Sequence, residues 1–563
     1  MVIGTAQMSL GGIGAMPSEL RARRADGLYS LHAYHTKVPP SAIEACIEAH
    51  TRPGDVVLDP FCGSGMTGVA AARTGRRAFL NDLSPAAIHI ARNYTTPCDP
   101  DAFEGGVARV LAAVGERIAA LYATTHHGRR ATIEHLVWSD VRACPSCAAK
   151  IVLWTLRDAG LRRITCPSCN EEHPKASMPF VDETPVEANL SGLGPRRVIR
   201  PAEPSDAGNL GATERIPWHP RTPFGPSRPM WRRGHADLGI ATVADFYSRR
   251  NLIALALLWE AASAETDGRV RDALRFSLTA IANRASRRYQ WNAKRPTNVL
   301  GGTLYISSLR YEWNVLSLWR RKVAAVARFF AANAVPADSV HVMQGSATRL
   351  PLPDESVDYC FTDPPFGAHI VYSDASLLWE AWLDDFTDRE EEAIVVRGGD
   401  VPKQVGDYGE LLAAAFGEVR RVLKADGEAT VVFQATDPTV WAVVQAAASQ
   451  AGLSVVDTGT LDKGQPSFKQ IKGRTAGERV AATDVMLHFA KRASEARPRA
   501  TTVEEAVAAA CRDARERGKP FMVDQLYAGV VAHLVRGELP VLGFAEIASL
   551  IDEHSEADLP RAA

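Results

Sequence analysis

Apolar residues near the start of the chain fall into short runs that alternate with stretches of helical periodicity. Residues 56–58 and 77–81 are apolar runs of strand length, and the glycine-rich string FCGSGMTG follows the first. Residues 69–73 and the string SPAAIHIARNY carry the helical pattern, and Ser84 followed by proline is a typical helix start. Strands that alternate with helices predict an α/β unit with a mostly parallel sheet.

The same alternation resumes near residue 340. Strands are predicted at HVMQG, DYCFTDPP, EATVVFQA and DVMLHFAKR, and a helix is predicted around GEVRRVLKADG. The intervening residues 126–335 are too many for a loop and must hold structure of their own. We therefore predict one α/β sheet that is split by a large insertion.

Composition divides the chain further. Paired cysteines mark the first part of the insertion, Pro, Gly and Arg are dense in the second, and long helical runs fill the third. The predicted segments are a flexible leader (1–28), the first half of the sheet domain (29–125), a cysteine ribbon (126–180), an irregular linker or arm (181–240), a helical insertion that is the candidate for target recognition (241–335), the second half of the sheet domain (336–495) and a small C-terminal helical appendage (496–563).

Bulk composition is that of a globular protein with several cores. The chain has 563 residues, 46% of them hydrophobic and 23% charged, with a formal net charge of −1. A surface for a polyanion must therefore be a local patch. The longest apolar run, residues 252–259, is far too short for a bilayer, and the N-terminal string lacks the positive start of a signal peptide. Nine cysteines, four of them in close pairs, suit a cytoplasmic protein with a metal site.

A glycine-rich loop of the nucleotide-binding type follows the first strand. Gly63, Gly65 and Gly68 have the G-x-G-x-x-G spacing, and Asp82 ends the next strand, where a carboxylate can accept both ribose hydroxyls. The spacing alone fits a dinucleotide as well. Asp59, in front of the glycines, would repel a pyrophosphate but attract an ammonium group.

A second loop interrupts the chain after residues 357–362. Asp363, Pro364, Pro365 and Phe366 follow that predicted strand directly. Each proline removes a backbone donor and restricts the residue before it, so the loop is rigid and non-repetitive. A rigid loop at a strand end holds its side chains still.

The string VLDPFCGSGMTGVAA resembles motif I of the amino-directed DNA methyltransferases, and TDPPFG resembles their motif IV. The resemblance implies a class I, Rossmann-like methyltransferase sheet that binds S-adenosylmethionine. It also implies that the upstream string HAYHTKVPP contacts the methionine carboxylate and that the strand before motif IV contributes adenine contact, although Ser346 stands there in place of the usual acid. The implied cofactor residues are Thr36, Lys37, Asp59, Pro60, Phe61, Gly63, Gly65, Asp82 and Ser346.

The resemblance also implies the chemistry of the second loop. An exocyclic amine is a poor nucleophile because its lone pair is delocalised into the base. Asp363 and the carbonyl of Pro364 can each accept one amine N–H, which frees the lone pair for attack on a methyl group, and Pro365 stiffens the loop. Phe366 is expected to stack on a base flipped out of the duplex.

Two C-x-x-C pairs lie inside the insertion. Thiolates at this spacing can close a tetrahedral structural zinc site, with the string between the pairs predicted to form a hairpin. A zinc ribbon placed here, together with YSDASLLWEAWL after the second loop, narrows the resemblance to the adenine-specific DNA methylases that contain a zinc-ribbon domain. The predicted ligands are Cys144, Cys147, Cys166 and Cys169.

Basic and aromatic residues interleave in the string ASRRYQWNAKRP. Such a pattern suits phosphate contact with base stacking, although a solvated helix face is the alternative. A weaker arginine set lies in the predicted arm, at Arg221, Arg228, Arg232 and Arg233. The candidate nucleic-acid residues of the main string are Arg287, Arg288, Tyr289, Trp291, Lys294 and Arg295.

These patterns, through the resemblance that they carry, imply methyl transfer from S-adenosylmethionine to adenine N6 in DNA. A tRNA guanine-N2 methyltransferase and a DNA cytosine-N4 methyltransferase remain alternatives, as does a catalytically silent zinc-ribbon protein that binds nucleic acid. The recognition sequence and the existence of a restriction or defence partner stay open.

Overall fold

The computed structural model describes residues 19–21, 27–159, 161–208, 216–293, 299–333, 335–336, 338–368, 370–462, 483–491, 499–516 and 523–557. In chain order the strands are β1 (Glu19–Arg21), β2 (Val56–Asp59), β3 (Arg77–Asp82), β4 (Ala123–His126), β5 (Arg129–Ala143), β6 (Lys150–Val152), β7 (Arg163–Thr165), β8 (Glu172–Pro174), β9 (Phe180–Ser191), β10 (Val198–Pro201), β11 (Leu309–Trp313), β12 (Val340–Gln344), β13 (Val357–Thr362), β14 (Leu423–Phe433), β15 (Ser454–Asp462) and β16 (Asp484–Ala490).

The α-helices connect and cover these strands. In chain order they are α1 (Pro40–His50), α2 (Met66–Arg73), α3 (Pro85–Thr95), α4 (Pro100–Leu121), α5 (Arg233–Asp237), α6 (Arg249–Ser263), α7 (Gly268–Ala282), α8 (Val315–Ala332), α9 (Tyr372–Ala375), α10 (Leu377–Leu383), α11 (Val405–Val422), α12 (Pro438–Gln450), α13 (Val503–Glu516), α14 (Val523–Arg536) and α15 (Phe544–Ala557). Among the helices of the described residues, none is both long and apolar enough to span a membrane.

The main sheet has eight strands in the order β1-β15-β16-β14-β13-β2-β3-β12. Only β16 runs antiparallel to its neighbours, β14 and β15. The predicted α/β fold is therefore confirmed as a mixed, mostly parallel sheet. Since β2 connects outward to β3 on one side and β13 lies on its other side, the strand order reverses between β2 and β13, where open α/β sheets bind ligands.

Both faces of the central strands are buried, as parallel sheets require. On β2, Val57 belongs to one apolar core while Val56 and Leu58 belong to the other. The predicted helix start at Ser84 is also observed, because its side chain accepts a hydrogen bond from the amide of Ala87 at 3.4 Å. The apolar runs of the sequence thus form central strands, whose side chains are buried because helices cover both faces of the sheet.

The insertion lies between β3 and β12, which are nevertheless adjacent and pair in parallel. It forms a second sheet in the order β10-β9-β5-β11, with β4 and β6 also paired to β5. The prediction of an irregular linker at 181–240 is wrong for β9 and β10, which pair with each other. The strand β9 accommodates Pro185 where its register with β5 shifts, so a proline did not prevent pairing.

The chain between the cysteine pairs is not the predicted hairpin. A 3₁₀-helix occupies Leu153–Ala159, β6 pairs with β5, and β7 pairs with β8 beyond the second cysteine pair. The apolar side chains Ile151, Leu153 and Ile164 form a small core around the cysteines. Their burial, and not a local turn, sets the path of this segment.

The helices α4, α6, α7 and α8 share one apolar core with a face of the main sheet. The helical insertion is therefore not a separate lobe. At the edge of the main sheet opposite β12, strand β1 pairs in parallel with β15. The prediction of a flexible leader is therefore wrong for residues 19–21. The C-terminal segment is helical as predicted, but α13, α14 and α15 contribute to the core on the other face of the sheet.

Candidate active site and cysteine centre

The loops that follow β2 and β13 meet in one cleft at the point where the strand order reverses. The cleft encloses about 990 Å³, open solvent included. The predicted residues Gly65, Pro364 and Phe366 lie outside its lining. The predicted residues that line it are Thr36, Lys37, Asp59, Pro60, Phe61, Gly63, Asp82, Ser346, Asp363 and Pro365.

The glycine loop requires glycine at two positions. The backbone φ is +49° at Gly63 and +78° at Gly65, a left-handed conformation that favours glycine. A Cβ at Gly63 would lie 2.7 Å from Cε1 of Tyr34, and one at Gly65 would lie 2.7 Å from Cβ of Ala91. The loop therefore packs directly on the upstream segment and on α3, and its backbone borders the cleft.

Asp59 joins the two loops. Its Oδ2 accepts a hydrogen bond from the Thr67 hydroxyl at 2.6 Å, and its Oδ1 accepts one from the Thr362 hydroxyl at 2.8 Å. The amide of Phe61 also donates to Oδ1. Burial raises the pKa of Asp59 to about 7 despite these donors. The carboxyl group is thus held rigidly at the floor of the cleft, and its attraction for an ammonium stays a prediction.

Asp82 braces the glycine loop from the neighbouring strand. Its Oδ2 accepts a hydrogen bond from the Gly63 amide at 2.8 Å, and its Oδ1 accepts one from the Ser84 amide at 2.9 Å. Burial raises the pKa of Asp82 to about 6. Each carboxylate oxygen keeps a second lone pair, so the predicted contact with ribose hydroxyls is chemically open.

Lys37 places a basic group in the cleft wall. Its Nζ donates to the carbonyl of His32 at 2.6 Å and lies 5.2 Å from the ring centroid of Tyr94. Burial, and then repulsion from Lys322, lower the pKa of Lys37 to about 7. A buried ammonium at that position suits a carboxylate ligand, which is the role predicted for it with Thr36.

The second loop presents Asp363 to the cleft. Asp363 is half-buried and lines the cleft directly. The carbonyl of Pro365 accepts a hydrogen bond from the Tyr408 hydroxyl at 2.8 Å, so α11 holds the loop from behind. The rigid loop expected from the two prolines is therefore anchored by a side chain far away in the sequence.

Phe366 does not occupy the position expected of a stacking platform. Its ring is 9% exposed and lies edge-to-face with Phe433, with 5.1 Å between the ring centroids. The apolar ring gains more by packing in the core under α11 and α12 than by facing the cleft. The aromatic side chains that do line the cleft include Tyr34 and Tyr372.

Several cleft residues were missed by the motif analysis. The hydroxyls of Ser346 and Thr348 lie 2.8 Å apart, and the Thr348 hydroxyl is 3.5 Å from Oε2 of Glu391. Glu391 therefore places a carboxylate beside the position where Ser346 replaces an acid. Tyr34 lies within the upstream string and Tyr372 follows the second loop, but no spacing rule links Glu391 to either motif.

Glu380 on α10 is buried at the rim of the site. Its Oε1 accepts hydrogen bonds from the hydroxyls of Ser84, at 2.8 Å, and Thr387, at 2.5 Å. Burial raises the pKa of Glu380 to about 7, against the lowering effect of these donors. The side chain ties the start of α3 to the segment that carries Glu391.

The cysteines converge as predicted. The sulfurs of Cys144 and Cys169 lie 3.7 Å apart, as do those of Cys147 and Cys166, and all of these sulfurs lie within 4.8 Å of one another. Ligands about 2.3 Å from a tetrahedral zinc ion are separated by about 3.8 Å. The donor set therefore fits Zn²⁺ with no position left open for a substrate.

The predicted nucleic-acid patch is wrong for Arg288 and Tyr289, which are buried, while Arg287 and Trp291 are half-buried. Arg287 forms a 2.7 Å ion pair with Glu183, and Arg288 is 3% exposed with its guanidinium donating to the carbonyl of Leu300. Tyr289 is buried against Tyr311, and Trp291 packs on Trp154. These side chains hold the insertion together, and burial keeps Arg288 and Tyr289 from contact with phosphates or bases. Lys294 and Arg295 lie outside the described residues.

The arginines of the predicted arm differ in their exposure to solvent. Arg228 pairs at 3.2 Å with the fully buried Asp374 and so anchors the arm to α9. Arg232 and Arg233 are exposed. Arg221 is exposed in a groove that also contains Trp218, which is 46% exposed and stacks on Trp259.

Known proteins resemble the first half of this site. Residues 16–93 match the family model of the N6/N4 DNA methylases. The type II methyltransferase M.XycI of Xanthomonas campestris pv. cyanopsidis is 42% identical over 59 residues, which are 10% of this chain and 20% of that protein. M2.DpnII of Streptococcus pneumoniae is 47% identical over 57 residues, which are 10% of this chain and 21% of that protein.

The chain thus spans about a fifth of the length of these curated relatives. Among solved structures, the cyclase SpnF is 13% identical with a TM-score of 0.16 and covers 31% of this chain and 65% of its own. A TM-score this low adds nothing to the strand order described above. The resemblance to the amino-directed DNA methyltransferases is confirmed over residues 16–93, which carry the glycine loop and Asp82.

Proposed function

We propose that this protein transfers a methyl group from S-adenosylmethionine to an exocyclic amine of a DNA base, most favourably adenine N6. The observation that carries the proposal is the meeting of the glycine loop and the Asp363 loop in one cleft. Thr362, the residue before Asp363, is hydrogen-bonded to Asp59 of the other loop. A cofactor and a target base held by the two loops would therefore be neighbours.

The residues of the cleft fit the proposed cofactor. Gly63 and Tyr34 both line the cleft, and the Gly63 backbone lies so close to the Tyr34 ring that only glycine fits there. Lys37 would pair with the methionine carboxylate, and Asp59 would face the ammonium group. Asp82 would accept hydrogen bonds from the ribose hydroxyls. Glu391 would accept a hydrogen bond from the adenine amine, because position 346 carries a serine where the family usually has an acid. When bound, S-adenosylmethionine supplies an electrophilic methyl group.

The chain's own part in the reaction is to orient the target amine. The Asp363 carboxylate would accept one amine N–H, and the carbonyl of Pro364, next to the cleft-lining residues Asp363 and Pro365, would accept the other, which localises the nitrogen lone pair toward the cofactor side of the cleft. Tyr408 keeps the loop in place through the carbonyl of Pro365. No strong base is needed, because the nitrogen becomes cationic only as the methyl group is transferred, and the proton that it then loses would pass to the Asp363 carboxylate or to water.

DNA is the proposed partner because the matched family model is that of DNA methylases, and the relatives above are type II methyltransferases. The matched family covers both N6 and N4 transfer, so cytosine N4 is the second candidate. The cysteine centre is proposed to hold one structural Zn²⁺. A DNA-contacting role is proposed for the groove of Trp218 and Arg221, which replaces the half-buried Arg287 and the buried Arg288 as the candidate interface.

Incubation with labelled S-adenosylmethionine and separate DNA and RNA pools, followed by identification of the methylated nucleoside, tests the proposal. We expect N6-methyladenine in DNA. Asp363→Ala should abolish transfer while the cofactor dissociation constant changes little, because Asp363 is assigned to the target amine. Methylation of RNA alone, or full activity of Asp363→Ala, would overturn the proposal.

A further inference from the structure

A second group of metal-ligand side chains lies outside the cleft and away from the cysteines. His50 is the last residue of α1, Glu428 lies on β14 and His488 lies on β16. Thr430 of β14 pairs with His488, so Glu428, two residues earlier, projects from the same face of the sheet. The helix end and the two strands thus bring the His50–Glu428–His488 triad together.

Distances in the triad suit a shared cation. Nδ1 of His50 lies 3.0 Å from Oε2 of Glu428, and Nε2 of His488 lies 3.1 Å from the same oxygen. Two ligands about 2.1 Å from one ion, at angles of about 90–110°, are separated by about 3.0–3.4 Å. The ligand atoms of all three residues lie within 4.8 Å of one another.

Hydrogen bonding alone does not account for His50. Its side chain is 4% exposed, and among the described residues neither ring nitrogen has a hydrogen bond of good geometry, despite the short distance to Glu428. A buried imidazole always carries at least one N–H or lone pair that needs a partner. A bound cation would satisfy Nδ1 directly.

His488 is held as metal-binding histidines commonly are. Its second nitrogen, Nδ1, lies 3.0 Å from the Thr430 hydroxyl, which in turn lies 2.6 Å from the hydroxyl of Tyr359. Such an outer contact fixes the ring and leaves Nε2 for a metal. The C-terminal end of α1 adds a favourable field for positive charge, and the side chain of Glu428, 34% exposed, gives an ion access from solvent.

We propose that His50, Glu428 and His488 bind a divalent transition-metal ion of the Zn²⁺ class. Two imidazoles and a carboxylate form a donor set that binds such ions in preference to Mg²⁺ or Ca²⁺. The site neighbours the cleft, since Tyr359, which contacts Thr430 of the triad's support, projects from the same face of β13 as the cleft residue Phe361. Its role is structural, because it fastens α1, which follows the cleft residues Thr36 and Lys37, to the sheet.

Zinc content of the full-length protein tests the site. The protein is equilibrated with excess Zn²⁺, freed of unbound ion by gel filtration and subjected to elemental analysis. We expect His488→Gln and Glu428→Gln each to hold one zinc ion fewer per chain than wild type. Cys169→Ser should lose a different ion, so Cys169→Ser combined with His488→Gln should lose both. The exposed Glu410→Gln serves as control and should retain the wild-type content.

A thermal measurement covers variants that fold poorly. Added Zn²⁺ should raise the Tm of Cys169→Ser, in which the cysteine centre is disabled, but not that of Cys169→Ser combined with Glu428→Gln, which replaces a partly exposed side chain without a change of volume. Equal zinc content in wild type, His488→Gln and Glu428→Gln, or an equal response of Tm to Zn²⁺ in Cys169→Ser with and without Glu428→Gln, overturns the site and leaves a hydrogen-bonded triad.

Discussion

The hydroxyl of Thr362, the last residue of β13, donates a 2.8 Å hydrogen bond to Oδ1 of Asp59, the last residue of β2. Both residues are almost completely buried. This contact sets the spacing between the glycine loop and the Asp363 loop. The relation between the two proposed ligands therefore depends on a side-chain bond between adjacent strands.

Thr362→Val should weaken that relation. The substitution keeps the shape of the side chain but leaves a buried carboxyl oxygen with one donor fewer, at a cost of about 1–3 kcal/mol in the free energy of unfolding. Cofactor affinity, measured by calorimetry, should fall with it. Thr362→Ser retains the hydroxyl and is the matched control. Equal affinity in the Val and Ser variants would show that the bond does not position the site.

Phe366→Ala tests the burial of the ring. If Phe366 packs in the core with Phe433, its truncation should lower the free energy of unfolding by about 3–5 kcal/mol, as measured by chemical denaturation. Phe366→Leu should cost less because it fills much of the same volume. A Phe366→Ala variant with wild-type stability but without activity on DNA would contradict this burial and support the predicted stacking of Phe366 on a flipped base.

Cys144→Ser and Cys169→Ser test the cysteine centre. Each should release one zinc ion per chain and destabilise the insertion, because a structural metal contributes its binding free energy to folding. Elemental analysis and limited proteolysis report the two effects. Cys511→Ser, on α13 and far from the centre in sequence, is the control. An unchanged zinc content in Cys169→Ser would remove the metal from the proposal.

Stability should depend on pH through Glu380. Its folded-state pKa of about 7 exceeds the ordinary value of 4.5, so the folded protein binds the proton more tightly than the unfolded chain. The stabilising contribution is complete below about pH 4.5 and is lost as the pH rises through about 7, which amounts to about 3 kcal/mol.

Glu380→Gln removes this dependence. The stability of wild type relative to Glu380→Gln, from denaturation at several pH values, should fall between pH 4.5 and 7 and then level off. Asp59 and Asp82 titrate in both proteins, so their contributions to the pH dependence of stability cancel in the difference between wild type and variant. The exposed Glu516→Gln is the control, and a constant difference across the series would contradict the burial argument.

Arg221→Gln and Trp218→Ala test the proposed DNA groove. Loss of one phosphate contact should reduce the slope of log affinity against log salt by about 0.9 for duplex DNA, and loss of a stacked base should cost about 1–3 kcal/mol of binding. The exposed Arg512→Gln on α13 should change neither quantity. Unaltered binding in both groove variants would place the interface elsewhere.

The sequence by itself determined the elements whose cause is local. The strand before FCGSGMTG, the helix that starts at Ser84 and the C-x-x-C pairs depend on residues close together in the chain, and the structure has each of them. The left-handed backbone at Gly63 and Gly65 likewise follows from residues that can adopt it. Short-range constraints of this kind are visible in one sequence.

The tertiary structure alone decided the burial of particular side chains. Arg288 is enclosed by backbone carbonyls that follow it by more than ten residues, Phe366 packs on Phe433, and Glu391 reaches Thr348 across the cleft. His50, Glu428 and His488 meet only because α1, β14 and β16 pack together. The way in which helices and strands pack on the sheet determines which side chains distant in sequence come into contact. The hydrophobic periodicity of the chain reports only on local structure and therefore does not predict those contacts.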